Sequence, residues 1–94
     1  MENKGKILLI EDDVTLSRMY QKKFTLDGFE IVQAFDGWDG LKKTTSEKPD
    51  LVLLDILLPG LDGIALFKKM RSQTETSTTP VILLTNVGEE SAIY

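Results

Sequence analysis

The 94-residue chain contains neither cysteine nor histidine. Without cysteine it has no disulfide framework and no thiolate nucleophile, which fits a reducing compartment, and we expect a cytoplasmic location. Without histidine it has no Ser-His-Asp triad, no HExxH metalloprotease motif and none of the usual zinc sites. Hydrolases and redox enzymes built on either side chain are therefore excluded.

Long apolar stretches and basic clusters are also missing. No window approaches the ~20 consecutive apolar residues that a membrane-spanning helix needs, and the polar start MENKGK does not resemble a signal peptide. The 11 basic and 15 acidic residues give a net charge of −4, and no basic run offers a footprint for a phosphate backbone. We therefore expect neither membrane insertion nor direct nucleic-acid binding by this segment.

Three short apolar runs indicate the fold class: Ile7 to Ile10, Leu51 to Leu54 and Val81 to Leu84. Each has the length and composition of a strand that is covered on both faces. A strand is also predicted at Phe29 to Phe35, but its two polar residues indicate an edge strand with one side partly exposed to solvent. Because helical patterns separate these runs, the sequence predicts an α/β domain with a mostly parallel sheet.

Three helices are predicted between the strands. The first begins after Asp13 and stops before Gly28, the second covers about Trp38 to Ser46, and the third runs from Asp62 to about Gln73. The apolar positions that we expect to face the core are Leu16, Tyr20, Phe24, Ile64, Phe67 and Met70.

Each apolar run ends in residues with oxygen-bearing side chains: Glu11 and Asp12 after the first, Asp55 after the second and Thr85 after the third. In an open parallel sheet the carboxyl ends of the strands share one edge, where ligands bind. Neighbouring strands are about 4.8 Å apart, so these groups can meet around one ion. Carboxylates this close repel one another unless a cation lies among them, and Mg²⁺ prefers such oxygen ligands. The Thr85 hydroxyl can donate a hydrogen bond to a phosphoryl oxygen.

Taken singly, each of these residues has an ordinary structural explanation. Asp55 can cap the loop that follows it, the acidic pair can cap a helix, and Thr85 can be a turn residue. Packing needs alone do not account for all of them at the same edge of the sheet.

Three motifs carry a family resemblance: KILLIEDD with Glu11 and Asp12, LVLLDILLPGLDG with Asp55, and PVILLTN with Thr85. With them the chain resembles the receiver domain of a two-component response regulator of the chemotaxis-regulator type, over essentially its whole length. The resemblance implies a flavodoxin-like, doubly wound parallel sheet with helices on both faces. The implied strand order is 2-1-3-4, with the family's fifth strand missing from this chain.

The resemblance also implies site roles and partners. Asp55 is the implied phosphoacceptor, which receives a phosphoryl group from the phosphohistidine of a histidine kinase or phosphotransfer protein in a Mg²⁺-dependent reaction. Glu11, Asp12 and Asp55 are the implied metal-site acids, Leu57 lends its backbone carbonyl to the metal, and Thr85 is the switch hydroxyl. Such a domain is a signalling module that takes part in its own phosphoryl transfer and dephosphorylation, not an enzyme with a separate substrate.

The pattern departs from a complete receiver near the end of the chain. No lysine follows Thr85, whereas the family has one at the end of a fifth strand, and Gly88 to Glu90 allows one turn of a fourth helix. We therefore expect residues 1–94 to form a receiver domain that is incomplete at its C-terminus. Val81 to Leu84 would then be an exposed edge strand that invites self-association. Asn86 stands where the family more often has a small residue, and it is expected to modulate access to the phosphoryl group.

Three alternatives remain open from the sequence. The chain could be a phosphorylation-incompetent interaction or swapped-dimer module, which the missing lysine favours. A haloacid-dehalogenase-type phosphatase also places an Asp nucleophile after an apolar strand, but that family needs a second Asp where this chain has Leu57. Dinucleotide binding is disfavoured because no GxGxxG motif follows the first strand.

Overall fold

The computed structural model describes residues 3–84 and the backbone of residues 91–93. The predicted strands and helices are present close to their expected bounds. In chain order the elements are β1 (Lys6–Ile10), α1 (Val14–Leu26), β2 (Glu30–Ala34), α2 (Gly37–Ser46), β3 (Leu51–Asp55), α3 (Gly63–Ser72), a short 3-10 turn (Thr74–Thr76), β4 (Val81–Leu84) and β5 (Ser91–Ile93). In the part of the chain described, no helix is long and apolar enough to cross a membrane.

The sheet has the strand order β2-β1-β3-β4-β5. The first four strands pair in parallel, which confirms the predicted order 2-1-3-4 and the edge position of β2. The expectation that β4 is an exposed edge is wrong, because β5 pairs with it and places Leu83 opposite Ala92. This pairing is antiparallel, unlike the fifth strand that the resemblance implied. The predicted fourth helix at Gly88 to Glu90 lies outside the described residues.

An aspartate precedes and caps each α-helix. The carboxylates of Asp13, Asp36 and Asp62 each accept a hydrogen bond from a backbone N–H in the first helical turn, at 2.8 to 3.1 Å. These bonds satisfy N–H groups that the helix itself leaves unpaired. Since all three helices begin close beyond the carboxyl end of a strand, the caps fix the geometry of the edge where the predicted site lies.

The core has two halves, one on each face of the sheet, because successive strand residues point to opposite faces. One half includes Leu8, Ile10, Val52 and Leu54 from the strands, with Leu66 and Met70 from α3. The other half is built on Ile7, Leu9 and Leu53 and is packed by Tyr20, Phe24 and Phe29. The helices α2 and α3 therefore cover one face of the sheet, and α1 covers the other.

One predicted core position is wrong. Ile64 is 39% exposed, although Leu66 and Met70 on the same helix are fully buried. The buried stripe of α3 begins at Gly63 and continues at Leu66 and Met70, at the helical spacing of three and four residues. Ile64 lies one position away from that stripe and so faces outward.

Candidate metal centre

The register of the sheet brings Glu11 and Asp55 together. β1 and β3 are neighbours, and Ile10 lies opposite Leu54. The residues that follow them, Glu11 and Asp55, therefore lie side by side at the carboxyl edge of the sheet. The backbone N–H of Glu11 donates to the carbonyl of Ala34 at 3.0 Å, which continues the β1–β2 ladder to the edge.

Glu11, Asp12 and Asp55 form an acidic cluster. One carboxylate oxygen from each residue can be chosen so that all three lie within 4.8 Å of one another. Glu11 and Asp55 are each only 2% exposed, whereas Asp12 is open to solvent. The structure thus brings together three of the site residues named in the sequence analysis. Glu11 and Asp55 are the buried members of the cluster, and Asp12 is its solvent-exposed member.

Backbone hydrogen bonds orient the two buried carboxylates. The N–H of Asp13 donates to Glu11 Oε2 at 3.1 Å, and the N–H of Leu57 donates to Asp55 Oδ1 at 3.2 Å. Each bond engages one oxygen of its carboxylate and restricts the rotation of the group.

The β3–α3 loop, residues 56–62, carries Leu57 past the cluster. Its base is closed by a hydrogen bond from the Gly63 N–H to the Ile56 carbonyl at 2.8 Å. A Cβ at Gly63 would fall on the carbonyl oxygen of Asp55, so only glycine permits this approach. The sequence analysis did not predict this role, although the Asp-Gly pair at the start of α3 was its signal.

Burial raises the pKa of Glu11 from 4.5 to about 8. Hydrogen bonding with Asp55 and Asp12 and the charge of Asp55 also raise this pKa, while the hydrogen bond from the Asp13 N–H lowers it. Carboxylates buried this close together favour binding of a cation. The three side chains offer oxygen and no nitrogen or sulfur, which suits a hard divalent ion such as Mg²⁺.

We expect the metal-free protein to lose stability as pH rises from about 4.5 to about 8. The folded state holds the Glu11 proton more tightly than the unfolded state does. This stabilisation is therefore complete below about pH 4.5 and is lost as pH rises through the folded-state pKa of about 8. Urea unfolding in EDTA across this range measures it, with Glu11→Gln as the control that has no proton to lose. Equal pH slopes in the two proteins would contradict the expectation.

The other two residues of the predicted site, Leu57 and Thr85, do not contribute a carboxylate to the cluster. Leu57 lies beside the cluster and its N–H binds Asp55, but a metal-binding role for its carbonyl remains a prediction. Thr85 and its neighbour Asn86 lie outside the described residues, so their roles also remain predictions.

The parallel strand order 2-1-3-4 places the protein in the flavodoxin-like fold class. The acidic cluster at the carboxyl edge of its sheet is a candidate divalent-metal site. The model of the response regulator receiver domain family matches residues 7–94. The chain belongs to this family.

Relatives and solved structures agree with this assignment. The chain is 44% identical over 86 residues to the transcriptional regulatory protein YclJ of Bacillus subtilis, covering 92% of this chain and 37% of YclJ. It is 39% identical over 85 residues to the alkaline phosphatase synthesis transcriptional regulatory protein PhoP of the same organism, covering 90% of this chain and 35% of PhoP. The chain thus spans little more than a third of these relatives.

Solved receiver domains superpose closely on the fold. That of the Francisella response regulator 1452 matches with a TM-score of 0.82 and 34% identity, covering 87% of this chain and 66% of that one. The BeF3-activated N-terminal receiver domain of Klebsiella pneumoniae RstA matches with a TM-score of 0.79 and 36% identity, covering 85% and 66%. The similarity therefore covers most of this chain.

Proposed function

We propose that this chain is the phosphoacceptor domain of a two-component system. In this proposal Asp55 accepts a phosphoryl group from the phosphohistidine of a histidine kinase or phosphotransfer protein, in the cytoplasm. The observation that carries the proposal is the acidic cluster, in which Asp55 is buried at the end of β3 with two further carboxylates close to it. Membership of the receiver family supports the same role.

The proposed reaction uses Asp55 as a nucleophile. One carboxylate oxygen forms a bond to phosphorus while the phosphorus–nitrogen bond of the donor breaks, and the imidazole nitrogen keeps the electron pair and takes up a proton. The N–H of Leu57 donates to Asp55 Oδ1 and so orients the attacking carboxylate. Glu11, Asp12 and Asp55 would hold Mg²⁺, which supplies positive charge against the charge on the carboxylate and the phosphoryl group.

The proposed output is a switch rather than turnover of a separate substrate. Phosphorylation adds strong acceptor oxygens at Asp55, and Thr85 is proposed to turn toward them and bias an interaction surface between two states. A phosphorylation-incompetent interaction module is the alternative.

Phosphoramidate separates these two functions, because it is a small donor with the phosphorus–nitrogen bond of phosphohistidine. With Mg²⁺ we expect the intact mass of the protein to rise by one phosphoryl group, and with EDTA we expect no change. A protein that binds Mg²⁺ but gains no mass under either condition would be the silent module.

Magnesium binding is expected to raise the melting temperature. A ligand that binds only the folded state at about ten times its Kd stabilises it by about 1.4 kcal/mol. For a domain of this size, that corresponds to a shift of roughly 5–10 °C. Asp12→Ala, which removes an exposed member of the cluster, should abolish the shift without lowering the metal-free melting temperature. A shift of equal size in the variant would place the metal elsewhere.

A further inference from the structure

The only tryptophan of the chain, Trp38, lies on the surface beside the β3–α3 loop. It is the second residue of α2, and 58% of it is exposed. The edge of its indole contacts the backbone of Gly60: a Cβ at Gly60 would lie 2.9 Å from Trp38 Cδ1 and 3.4 Å from Nε1. An aromatic ring therefore packs directly on the tip of the loop, where Gly60 has a φ of +78°.

The residue before Trp38 holds the same loop through its backbone. The N–H of Gly37 donates to the carbonyl of Pro59 at 3.2 Å. Gly37 also packs so closely on Leu61 that a Cβ would fall on the Leu61 carbonyl oxygen. The first two residues of α2 thus contact three consecutive residues of the loop: Pro59, Gly60 and Leu61.

The other end of this loop reaches the acidic cluster. The base of the loop is closed by the bond from Gly63 to Ile56, and Leu57 binds the carboxylate of Asp55. The loop is therefore held at its base by α3 and at its tip by α2. A displacement of the tip must be absorbed by the few residues between the two attachments, which include Leu57.

We propose that Trp38 is a positioning residue, whose indole holds the tip of the β3–α3 loop so that the Leu57 backbone stays in place against Asp55. Gly37 contributes a main-chain bond that survives substitution of the neighbouring side chain, so the contribution of the indole can be removed separately. Because 58% of Trp38 is exposed and its buried part lies against the loop, we expect its removal to loosen the loop more than the rest of the fold. This inference rests on the proposed function for its catalytic consequence, since only a phosphoacceptor site needs Asp55 to be oriented in advance.

The test compares Trp38→Ala, Trp38→Phe and the wild type. Amide hydrogen exchange of the metal-free proteins reports on the Leu57 and Gly63 N–H groups, which bond to Asp55 and Ile56. In Trp38→Ala we expect both amides to exchange about tenfold faster than any general fall in stability, measured by the urea midpoint and the amides of β1, accounts for. We also expect the initial rate of phosphorylation by phosphoramidate with Mg²⁺ to fall about 3- to 10-fold. Trp38→Phe, which keeps an aromatic ring, should restore most of both losses.

Leu26→Ala is the matched control. Leu26 is the most exposed large apolar residue among those described, at 79%, and it ends α1. This variant should leave both amides and the phosphorylation rate unchanged.

Two results would overturn the role of Trp38. Unchanged exchange at Leu57 and Gly63 in Trp38→Ala would show that the indole does not hold the loop. Exchange at Leu57 and Gly63 that is accelerated no more than at the amides of β1 would make Trp38 a general structural residue. If the wild type itself is not phosphorylated, the proposed function fails, and the exchange measurement still decides whether Trp38 positions the loop.

Discussion

Asp55→Asn is expected to abolish phosphorylation by phosphoramidate. The substitution keeps the size of the side chain, but an amide is not a nucleophile toward phosphorus and brings no negative charge to the metal site. Glu11 and Asp12 would still be present to hold Mg²⁺ in this variant, so a loss of labelling is assigned to the missing nucleophile. Intact mass spectrometry with Mg²⁺ should show no added phosphoryl group.

Asp27→Asn provides a matched control for this experiment. Asp27 follows the last residue of α1 and is exposed, and its carboxylate makes a long ion pair with Lys23 at 3.8 Å. The same change of functional group at this position should leave phosphorylation at the wild-type level. Labelling of Asp55→Asn at the rate of Asp27→Asn would show that another residue is the acceptor.

Leu8→Ala is expected to reduce the free energy of unfolding by about 2–5 kcal/mol. Leu8 is fully buried in the interior strand β1, between Val32 and Val52 on the neighbouring strands. Its truncation loses buried apolar surface and leaves a cavity that the surrounding sheet cannot close. In a domain of this size the loss lowers the melting temperature by roughly 10–30 °C.

The same Leu→Ala change at Leu26 serves as the control for stability. Because Leu26 is 79% exposed, we expect its truncation to change the free energy of unfolding by less than about 0.5 kcal/mol. Urea unfolding of the two variants and the wild type measures both values. A difference of less than about 1 kcal/mol between Leu8→Ala and Leu26→Ala would contradict the assigned core.

The strands and helices could be predicted because their signals are local. Val52 and Leu54 belong to an unbroken apolar run, which only a strand covered on both faces requires. Asp13, Asp36 and Asp62 each stand where a helix begins, since their side chains bond to N–H groups only three residues away. The convergence of the acidic cluster followed from one further rule, that parallel strands end at a common edge.

Other features depend on contacts between distant segments and could not be predicted. The residues around Ser91 gave no sign that β5 would pair with β4, because strand pairing depends on contacts between two segments and not on the sequence of either one alone. The packing of Trp38 on Gly60 could not be predicted either, because it depends on how the start of α2 meets the β3–α3 loop. The raised pKa of Glu11 required the burial and the distances that only the folded chain supplies.

The most direct test of this account is to locate a bound divalent ion with Mn²⁺ in place of Mg²⁺. Both ions prefer oxygen ligands, and Mn²⁺ broadens the NMR signals of nearby nuclei. We expect substoichiometric Mn²⁺ to broaden first the amide signals of Glu11, Asp12 and Asp55, and excess Mg²⁺ to restore them. Broadening centred on other acidic residues, with these three signals unchanged, would contradict the central claim that the three carboxylates form one metal site.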